Sequence, residues 1–443
     1  MAVSTRTPRT FHRAAACLAA LTLAAGLTAG CASDDDEPGS SGEGGKGKTT
    51  ITVGVFGVFG LKEAGLYKEY MKANPDIVIK QNSIERVDQY YPQLLTHLAS
   101  SSGLADIQAV EVNNINEVVT QHAQKFEDLG KAPGVEKDSF LPWKWDQATA
   151  KDGKTIGLGT DIGPMGICYR KDHFKKAGLP TDREEVGKLW AGDWQKYVDT
   201  GADFMKKAPD GTTFVDSGAS LYNGSSSSYA TRYYDKSGKV IYKTSKGVQA
   251  SWDLAMEAIK GKMTAKYKQF TPQWDQGYAN GKFATVACPP WMLGYIKDKA
   301  GEKAADQWDV APAPKPGNWG GSFLTVPSAG KNKEEAAKLA AWLTAPEQQA
   351  KLFEKQGSFP SSQAAFDLPA VADAKHAYFD DAPIGKIFAD AAKSIPTLVL
   401  GPKDQPILQQ ITDIGILQVE QQGKSPEEGW EAAEKKIDDL LEQ

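Results

Sequence analysis

Apolar residues in the first part of the chain recur with two different periods. The stretch ITVGVF (51–56) is β-branched and apolar, which predicts a strand, and residues 61–75 place apolar side chains mostly on one helical face. Two more strands, DIVIKQ and ADIQAVEV, are each followed by a helical pattern. This alternation predicts an α/β fold with a mostly parallel sheet covered by helices on both faces. Ligands of such sheets bind at the loops that follow the strands.

The middle and the end of the chain carry a second set of elements. MGICYR and KFATVAC predict strands, and the later stretch 331–355 is strongly helical. Ser425 followed by Glu428 is typical of the capping box that begins a helix. The body of the chain is also longer than one hydrophobic core usually holds. We therefore expect two lobes, each a mostly parallel sheet flanked by helices.

Two glycine-rich stretches, 154–166 and 318–330, are the candidate crossings between these lobes. Each combines a short extended run with several glycines, although ordinary turns at strand ends share that pattern. A chain that crosses and returns makes the first lobe discontinuous, and a hinge between lobes allows closure on a ligand. The predicted boundaries are 51–160 for the first part of the N-lobe, 161–321 for the C-lobe, and 322–443 for a returning segment shared between the helices of both lobes.

The beginning of the chain has the pattern of an export signal. Arginines precede an uncharged run at 14–30, which is shorter than the roughly 20 apolar residues of a membrane span. Residues 1–30 are therefore predicted to be a lipoprotein signal peptide, since Cys31 follows LTAG, which resembles a bacterial lipoprotein box with Thr28 in the place of the usual leucine. An ordinary cleaved signal with an incidental cysteine is the alternative. The acidic, glycine-rich residues 31–50 predict a flexible tether.

The charge balance excludes one class of partner. The chain has 51 basic and 56 acidic residues and a formal net charge of -5. Nucleic-acid binding needs a basic surface, so we expect no nucleic-acid partner.

Two of the four cysteines, Cys168 and Cys288, fall in the predicted exported body. In an oxidising compartment such a pair favours a disulfide, and two buried free thiols are the alternative. Neither is a plausible nucleophile, because no histidine motif accompanies them.

The sequence offers little that would support catalysis or metal binding. Histidines are few and widely spaced, so no zinc site or catalytic triad is predicted. The glycines after the first strand lack the spacing of a phosphate loop. A loop that approaches a ligand through Phe56 and Phe59 is the simpler interpretation, and a core position for both rings is the alternative.

The tryptophans of the later part are the candidate ligand contacts. The indole ring has apolar faces and one donor at its edge, which suits a ligand with a flat apolar face and a polar rim, such as a pyranose. We favour ligand contact for Trp291, which follows two prolines, and for Trp319, which lies in a glycine-flanked loop. Trp308, in the alternating strand WDVAP, is predicted to be core. Trp274 is a ligand candidate for which the two readings are balanced.

Seven segments follow one another in a single order: LTAGC, ITVGVF, LYKEYMKANPDIVI, ADIQAVEV, GLGTDIGPMGICYRKDHFKKAGL, GYANGKFATVACPPWMLG and GGSFLTVP. Together they resemble the extracellular solute-binding proteins of ABC importers, the class that includes maltose-binding protein. The resemblance spans essentially the whole chain after the tether and implies a two-lobed class II binding-protein fold with a sugar held between the lobes. It implies Trp291 as a stacking platform, with Glu111, Asn113 and Asp161 as hydroxyl partners. The first crossing departs from the family pattern at Pro164, because a proline stiffens the segment that would bend as a hinge.

The resulting prediction is a lipid-anchored binding component of an ABC importer that closes on a di- or trisaccharide and delivers it to the permease. We expect a monomer on the outer face of the cytoplasmic membrane, without cofactor, metal or catalytic residue. Two alternatives stay open. The same fold can bind a peptide, polyamine or metal chelate, and plentiful carboxylates leave room for a surface-anchored glycan hydrolase.

Overall fold

The strands lie in two main sheets and one small sheet. The computed structural model describes residues 47–442. Its strands are β1 (Thr49–Phe56), β2 (Ile77–Ile84), β3 (Ile107–Glu111), β4 (Gly157–Gly159), β5 (Asp161–Ile162), β6 (Gly166–Arg170), β7 (Thr213–Val215), β8 (Phe283–Cys288), β9 (Trp308–Pro312), β10 (Ser322–Thr325) and β11 (Phe359–Pro360).

Helices cover both main sheets, and a π-helical segment, Gln410–Ile416, lies between the sixteenth and seventeenth α-helices. The α-helices are α1 (Leu66–Ala73), α2 (Val87–Ser100), α3 (Val112–Gln121), α4 (Pro142–Gln147), α5 (Lys171–Ala177), α6 (Arg183–Trp190), α7 (Trp194–Met205), α8 (Gly218–Ser226), α9 (Lys246–Lys260), α10 (Pro272–Ala279), α11 (Pro290–Ala300), α12 (Lys333–Leu343), α13 (Pro346–Gln356), α14 (Pro369–Ala372), α15 (Ile384–Lys393), α16 (Asp404–Gln409), α17 (Leu417–Gln422) and α18 (Pro426–Leu441). The predicted capping box of α18 is confirmed, because Ser425 and Glu428 exchange both hydrogen bonds.

The first sheet, which we call the N-lobe sheet, has the order β2-β1-β3-β10-β4. β1 runs parallel to β2 and β3, while β10 runs antiparallel to β3 and β4. Ile51, Val53 and Val55 are fully buried, as the apolar run predicts. Leu324, from the returning chain, packs in the same core. The N-lobe is therefore built from two separate stretches of chain.

The second sheet, the C-lobe sheet, has the order β7-β8-β6-β9. The predicted two-lobed α/β fold is confirmed, but the expectation of a mostly parallel sheet is wrong here, because β6 is antiparallel to both β8 and β9 and only β7 pairs in parallel with β8. A parallel neighbour needs a crossover that returns the chain to the same end of the sheet. β6 and β9 instead adjoin the crossings to the N-lobe, and their directions follow from those connections.

A disulfide joins Cys168 on β6 to Cys288 on β8, with the Cα atoms 5.7 Å apart. Both cysteines are fully buried in the C-lobe core. The bond crosses two paired strands and closes a loop with a sequence separation of 120. It therefore ties together strands that are distant in sequence.

The body of the protein begins slightly earlier than the sequence predicts. Thr49 and Thr50 already pair with β2, although both fall inside the predicted tether 31–50. The described residues, 47–442, belong to one compact unit. The predicted signal peptide and Cys31 lie outside the described residues. Within 47–442, every helix falls short of the length and apolarity that a membrane span requires.

Candidate ligand-binding site

The two predicted crossings run side by side and are hydrogen-bonded to each other. The Gly163 N–H donates to Asn318 Oδ1 at 2.9 Å, and the Trp319 N–H donates to the Gly163 carbonyl at 2.8 Å. A Cβ atom at Gly163 would lie 1.8 Å from the Trp319 carbonyl oxygen, so only glycine allows this approach. The next residue, Pro164, forms an antiparallel β-bridge with Asn318. Proline has no N–H to donate, but no hydrogen bond is lost here, because Gly163 makes the two bonds between the crossings.

A third stretch of chain lies against the crossings. β11 pairs antiparallel with β5, so Phe359 and Pro360 flank Ile162 and Asp161. The fully buried side chain of Gln349 connects these segments, since its Nε2 donates to the Gly159 carbonyl at 3.2 Å and its Oε1 accepts from the Ser361 N–H at 2.7 Å. The sequence pattern did not indicate this third segment.

Glu111 and Asn113 lie together where β3 passes into α3. Glu111 is the N-cap of α3, and its Oε2 accepts from the Asn113 N–H at 2.7 Å. The Asn113 side chain donates to the other carboxylate oxygen at 3.3 Å. Burial raises the pKa of the Glu111 carboxyl to about 7, against the lowering effects of the Asn113 N–H and of nearby cations. The end of β3 thus presents a carboxyl and an amide, as a polyol site requires.

Asp161 connects the first crossing to β10. Its Oδ1 accepts from the Ser322 N–H at 2.9 Å and from the Thr160 hydroxyl at 2.7 Å. Ser322 is also the strand partner of Glu111. Both predicted carboxylates therefore flank one residue, and burial raises the pKa of Asp161, with Lys144 acting in the opposite direction.

Lys144, on α4, is a cation close to the carboxylates of Asp161 and Glu111, and it was not predicted from the sequence. The side chain is fully buried, and its Nζ lies 3.7 Å from the centre of the Phe323 ring. Within the described part of the chain, Nζ has no hydrogen-bond acceptor. Burial lowers the pKa of Lys144 to about 8, while Asp161 and Glu111 oppose that shift. Its position between Trp143 and Trp145 in the apolar segment LPWKW was the available signal.

Arg232 is a second missed cation near Glu111, whose pKa it helps to lower. The side chain is only 4% exposed, and its Nη2 lies 3.5 Å from Asp404 Oδ1. Burial raises the pKa of Asp404 to about 6, because the ion pair only partly offsets desolvation. Arg232 lies in an irregular loop after α8, where no periodic pattern could indicate it.

Trp291 and Trp319 form an aromatic pair next to the crossings. Trp291, in the first turn of α11, is partly exposed, and its ring meets that of Trp319 at 78° with centroids 5.6 Å apart. The Trp291 Nε1–H donates to the Trp319 carbonyl at 3.3 Å. Trp319 precedes Gly320, Gly321 and Ser322, so the segment 318–322 reaches both the aromatic pair and the carboxylates.

Trp274 is not supported as a ligand contact. Its ring is fully buried in the C-lobe core, and its Nε1–H donates to Asp216 Oδ2 at 2.8 Å. A buried indole with its one donor already bonded has no edge or face left for a ligand. Trp308 is also fully buried, which agrees with its assignment to the core.

Phe59 lies in the loop at the carboxyl end of β1 and is partly buried. Its ring meets Phe56 edge to face with centroids 5.6 Å apart, and Phe56 packs on Tyr90 at 5.5 Å. Val58 between them is 81% exposed. The two phenylalanines thus contribute to the N-lobe core while the loop between them faces solvent.

The described residues bring together apolar ring faces and hydrogen-bonding groups of both charges. Among residues 47–442, no group of three or more histidine, cysteine, aspartate or glutamate side chains is arranged to hold a metal ion. Aromatic faces and paired carboxyl, amide and cationic groups are suited to holding a polar organic ligand.

A two-lobed α/β fold with such a surface at its crossings defines a solute receptor. A family model described as bacterial extracellular solute-binding protein matches residues 65–378. The chain belongs to that family, whose members are binding proteins.

Individual relatives agree with this assignment. A crystal structure described as extracellular solute-binding protein family 1 is 40% identical, with a TM-score of 0.80, covering 88% of this chain and 99% of that chain. The arabinooligosaccharide-binding protein of Bacillus subtilis (strain 168) is 26% identical over 73% of this chain and 74% of its own length. The fold is also shared with the ABC transporter associated binding protein from B. animalis subsp. lactis Bl-04, solved with beta-1,6-galactobiose, at 20% identity and a TM-score of 0.74, covering 89% of this chain and 97% of that chain.

Proposed function

We propose that the protein is the lipid-anchored, extracellular binding component of an ABC importer and that it captures a di- or trisaccharide between its lobes. The observation that carries the proposal is the segment 318–322, which connects the Trp291–Trp319 pair to the cluster of Glu111, Asp161 and Lys144. A sugar ring needs an apolar face and a rim of paired donors and acceptors, and this segment adjoins both. The names of the arabinooligosaccharide- and galactobiose-binding relatives support the same ligand class.

Capture depends on contacts from both lobes. Trp291 belongs to the C-lobe helix α11, whereas Glu111 and Asn113 belong to the N-lobe. A ligand that touches both sets stabilises the closed arrangement because only there are all contacts made. Trp291, Trp319, Glu111, Asn113 and Asp161 form the proposed site, and Phe59 contributes at the loop after β1. No chemical step is needed, so the protein acts as a binding protein and not as an enzyme.

The proposed anchor is a lipid on Cys31, followed by a tether that ends where β1 begins. Tethering keeps a monomeric receptor near the permease and raises its effective concentration there without any further contact. Replacement of Cys31 by serine is expected to move the protein from the membrane fraction to the medium. Equal membrane association of this variant would contradict the anchor while leaving the ligand proposal intact.

Thermal unfolding with a panel of solutes tests the ligand class. The exported chain with Cys31→Ser is heated with arabino-oligosaccharides, beta-1,6-galactobiose, maltose, maltotriose, their monosaccharides, spermidine, a peptide mixture and a ferric chelate. A ligand at 100 times its Kd stabilises the folded state by about 2.7 kcal/mol, a shift of several degrees. We expect the shift with one group of oligosaccharides. A shift with spermidine, peptide or chelate alone would contradict a sugar ligand. Release of free sugar from an oligosaccharide during incubation would indicate a hydrolase.

A further inference from the structure

Phe270, two residues before the start of α10, is an exposed aromatic residue that the fold itself does not explain. Its side chain is 45% exposed, and among residues 47–442 only Val58 is another exposed large apolar residue. A ring that served only the core would gain stability from complete burial. Phe270 thus leaves apolar surface uncovered close to the proposed site.

The backbone at Phe270 is strained. Its φ is +60°, in the left-handed region that a bulky side chain rarely occupies. The two residues before it make side-chain contacts with other elements: Lys268 pairs with Asp413 at 2.9 Å, and Gln269 Nε2 donates to the buried Asp216 at 2.9 Å. Such strain persists where surrounding contacts enforce it, and it concentrates at ligand sites.

The strained backbone places the Phe270 ring beside Trp291. The two ring planes are 29° apart with centroids at 6.3 Å, an offset and nearly parallel arrangement. Trp274, at 5.1 Å, and Tyr295, at 6.0 Å, support the ring from the core side. Phe270 and Trp291 together therefore offer two adjacent aromatic faces.

We propose that Phe270 is a specificity-determining ligand contact and that the site takes at least two linked sugar rings, one on Trp291 and the next on Phe270. The inference rests on the proposed sugar-binding function and assigns its chain-length requirement to a particular residue. Coverage by the second ring accounts for the exposed apolar surface. It also accounts for the strained backbone, because a relaxed backbone at residue 270 would direct the side chain elsewhere.

Calorimetric titration of the exported chain with Cys31→Ser tests this requirement. The probes are arabinose, arabinobiose and arabinotriose, and galactose with beta-1,6-galactobiose. The variants are Phe270→Ala, Phe270→Gly and Phe270→Tyr, the last as a matched control that keeps the ring. We expect Phe270→Ala to weaken di- and trisaccharide binding at least tenfold and monosaccharide binding less than threefold, while Phe270→Tyr stays within threefold of the wild type.

The strain gives a readout that does not depend on ligand. Glycine accepts a φ of +60° without cost, so ligand-free Phe270→Gly should have a Tm equal to or above that of Phe270→Ala, although alanine is normally the more stabilising of the two. A clearly lower Tm for Phe270→Gly than for Phe270→Ala would contradict the claim that Phe270 is a ligand contact held in a strained conformation.

The binding outcomes separate the two proposals. The chain-length inference alone is overturned if the wild type binds sugar and Phe270→Ala has an unchanged Kd. It is also overturned if Phe270→Ala loses equal affinity for mono- and disaccharides. An unchanged Kd with lost uptake in cells would also overturn it and assign Phe270 to permease contact. Failure of the wild type to bind any sugar in this set or in the thermal-unfolding panel overturns both proposals.

Discussion

The indole N–H of Trp291 donates to the backbone carbonyl of Trp319 at 3.3 Å, and the two rings meet nearly perpendicularly. This bond joins the start of α11 to the segment that crosses between the lobes. Because the edge of Trp291 is held by protein, its face is the part that a ligand can use. The orientation of the proposed platform is therefore set by a crossing segment.

Trp291→Ala is expected to weaken sugar binding at least tenfold, which corresponds to about 1.4 kcal/mol, because the apolar face is lost. Trp291→Phe retains an aromatic face but loses the donor to Trp319, so an intermediate loss is expected. Fluorescence titration with the sugar that raises the Tm measures both variants. Equal affinities of the wild type and Trp291→Ala would remove Trp291 from the site.

Trp274→Phe is expected to lower stability while ligand affinity stays within threefold of the wild type, because a phenyl ring remains behind Phe270. The variant removes one donor from the buried Asp216 carboxylate, whose pKa burial raises to about 6, and a lost bond of this kind costs about 1–3 kcal/mol. Trp308→Phe is the matched control, because Trp308 is equally buried but its N–H has no partner among the described residues. Guanidinium unfolding should show the larger loss for Trp274→Phe, and the reverse order would contradict this account.

The free energy of unfolding is expected to fall as pH rises, because Glu420 is buried. Its Oε1 accepts from the Gly218 N–H at 2.9 Å, and burial raises its pKa from an ordinary value of 4.5 to about 7. The folded state therefore holds a proton that the unfolded state has released between these values. This contribution is complete below about pH 4.5 and is lost as pH rises through 7.

Glu420→Gln should reduce the fall in unfolding free energy between pH 5 and pH 8 by on the order of 2–3 kcal/mol, because the amide does not titrate. Urea unfolding at the two pH values measures the difference. The exposed Glu427→Gln on α18 is the control, and its pH profile should match the wild type. A wild-type profile for Glu420→Gln would show that this carboxyl does not titrate as described.

Removal of the Cys168–Cys288 disulfide should lower stability by about 2–5 kcal/mol, because the bond restricts a long loop of the unfolded chain. Cys168→Ala with Cys288→Ala is compared with the wild type by thermal unfolding. Ligand affinity should stay within threefold, since both sulfur atoms lie in the C-lobe core. A Tm equal to that of the wild type would contradict a stabilising bond.

Periodicity predicted the lobes well because their strands and helices bury continuous apolar faces, as Ile51, Val53 and Val55 do. The directions of the strands were harder to predict from the sequence. The antiparallel pairing of β6 depends on where the chain crosses between lobes, and that is decided by contacts distant in sequence such as Gly163 with Trp319.

The candidate site was only partly predictable for a similar reason. Whether a tryptophan belongs to the core depends on its partners, and Asp216, which binds Trp274, lies 58 residues away in sequence. Lys144 and Arg232 are cations in apolar or irregular surroundings, so their proximity to Glu111 follows from the tertiary structure. Phe270 is distinguished by its backbone φ, which sequence patterns do not report.

Calorimetric titration with one variant from each lobe tests the central claim most directly. The stabilising oligosaccharide is titrated into the wild type, Trp291→Ala from the C-lobe and Asn113→Ala from the N-lobe. Capture between the lobes predicts that each variant weakens binding at least tenfold, because the closed state needs contacts from both sides. Wild-type affinity in either Asn113→Ala or Trp291→Ala, or no oligosaccharide binding by the wild type, would contradict it.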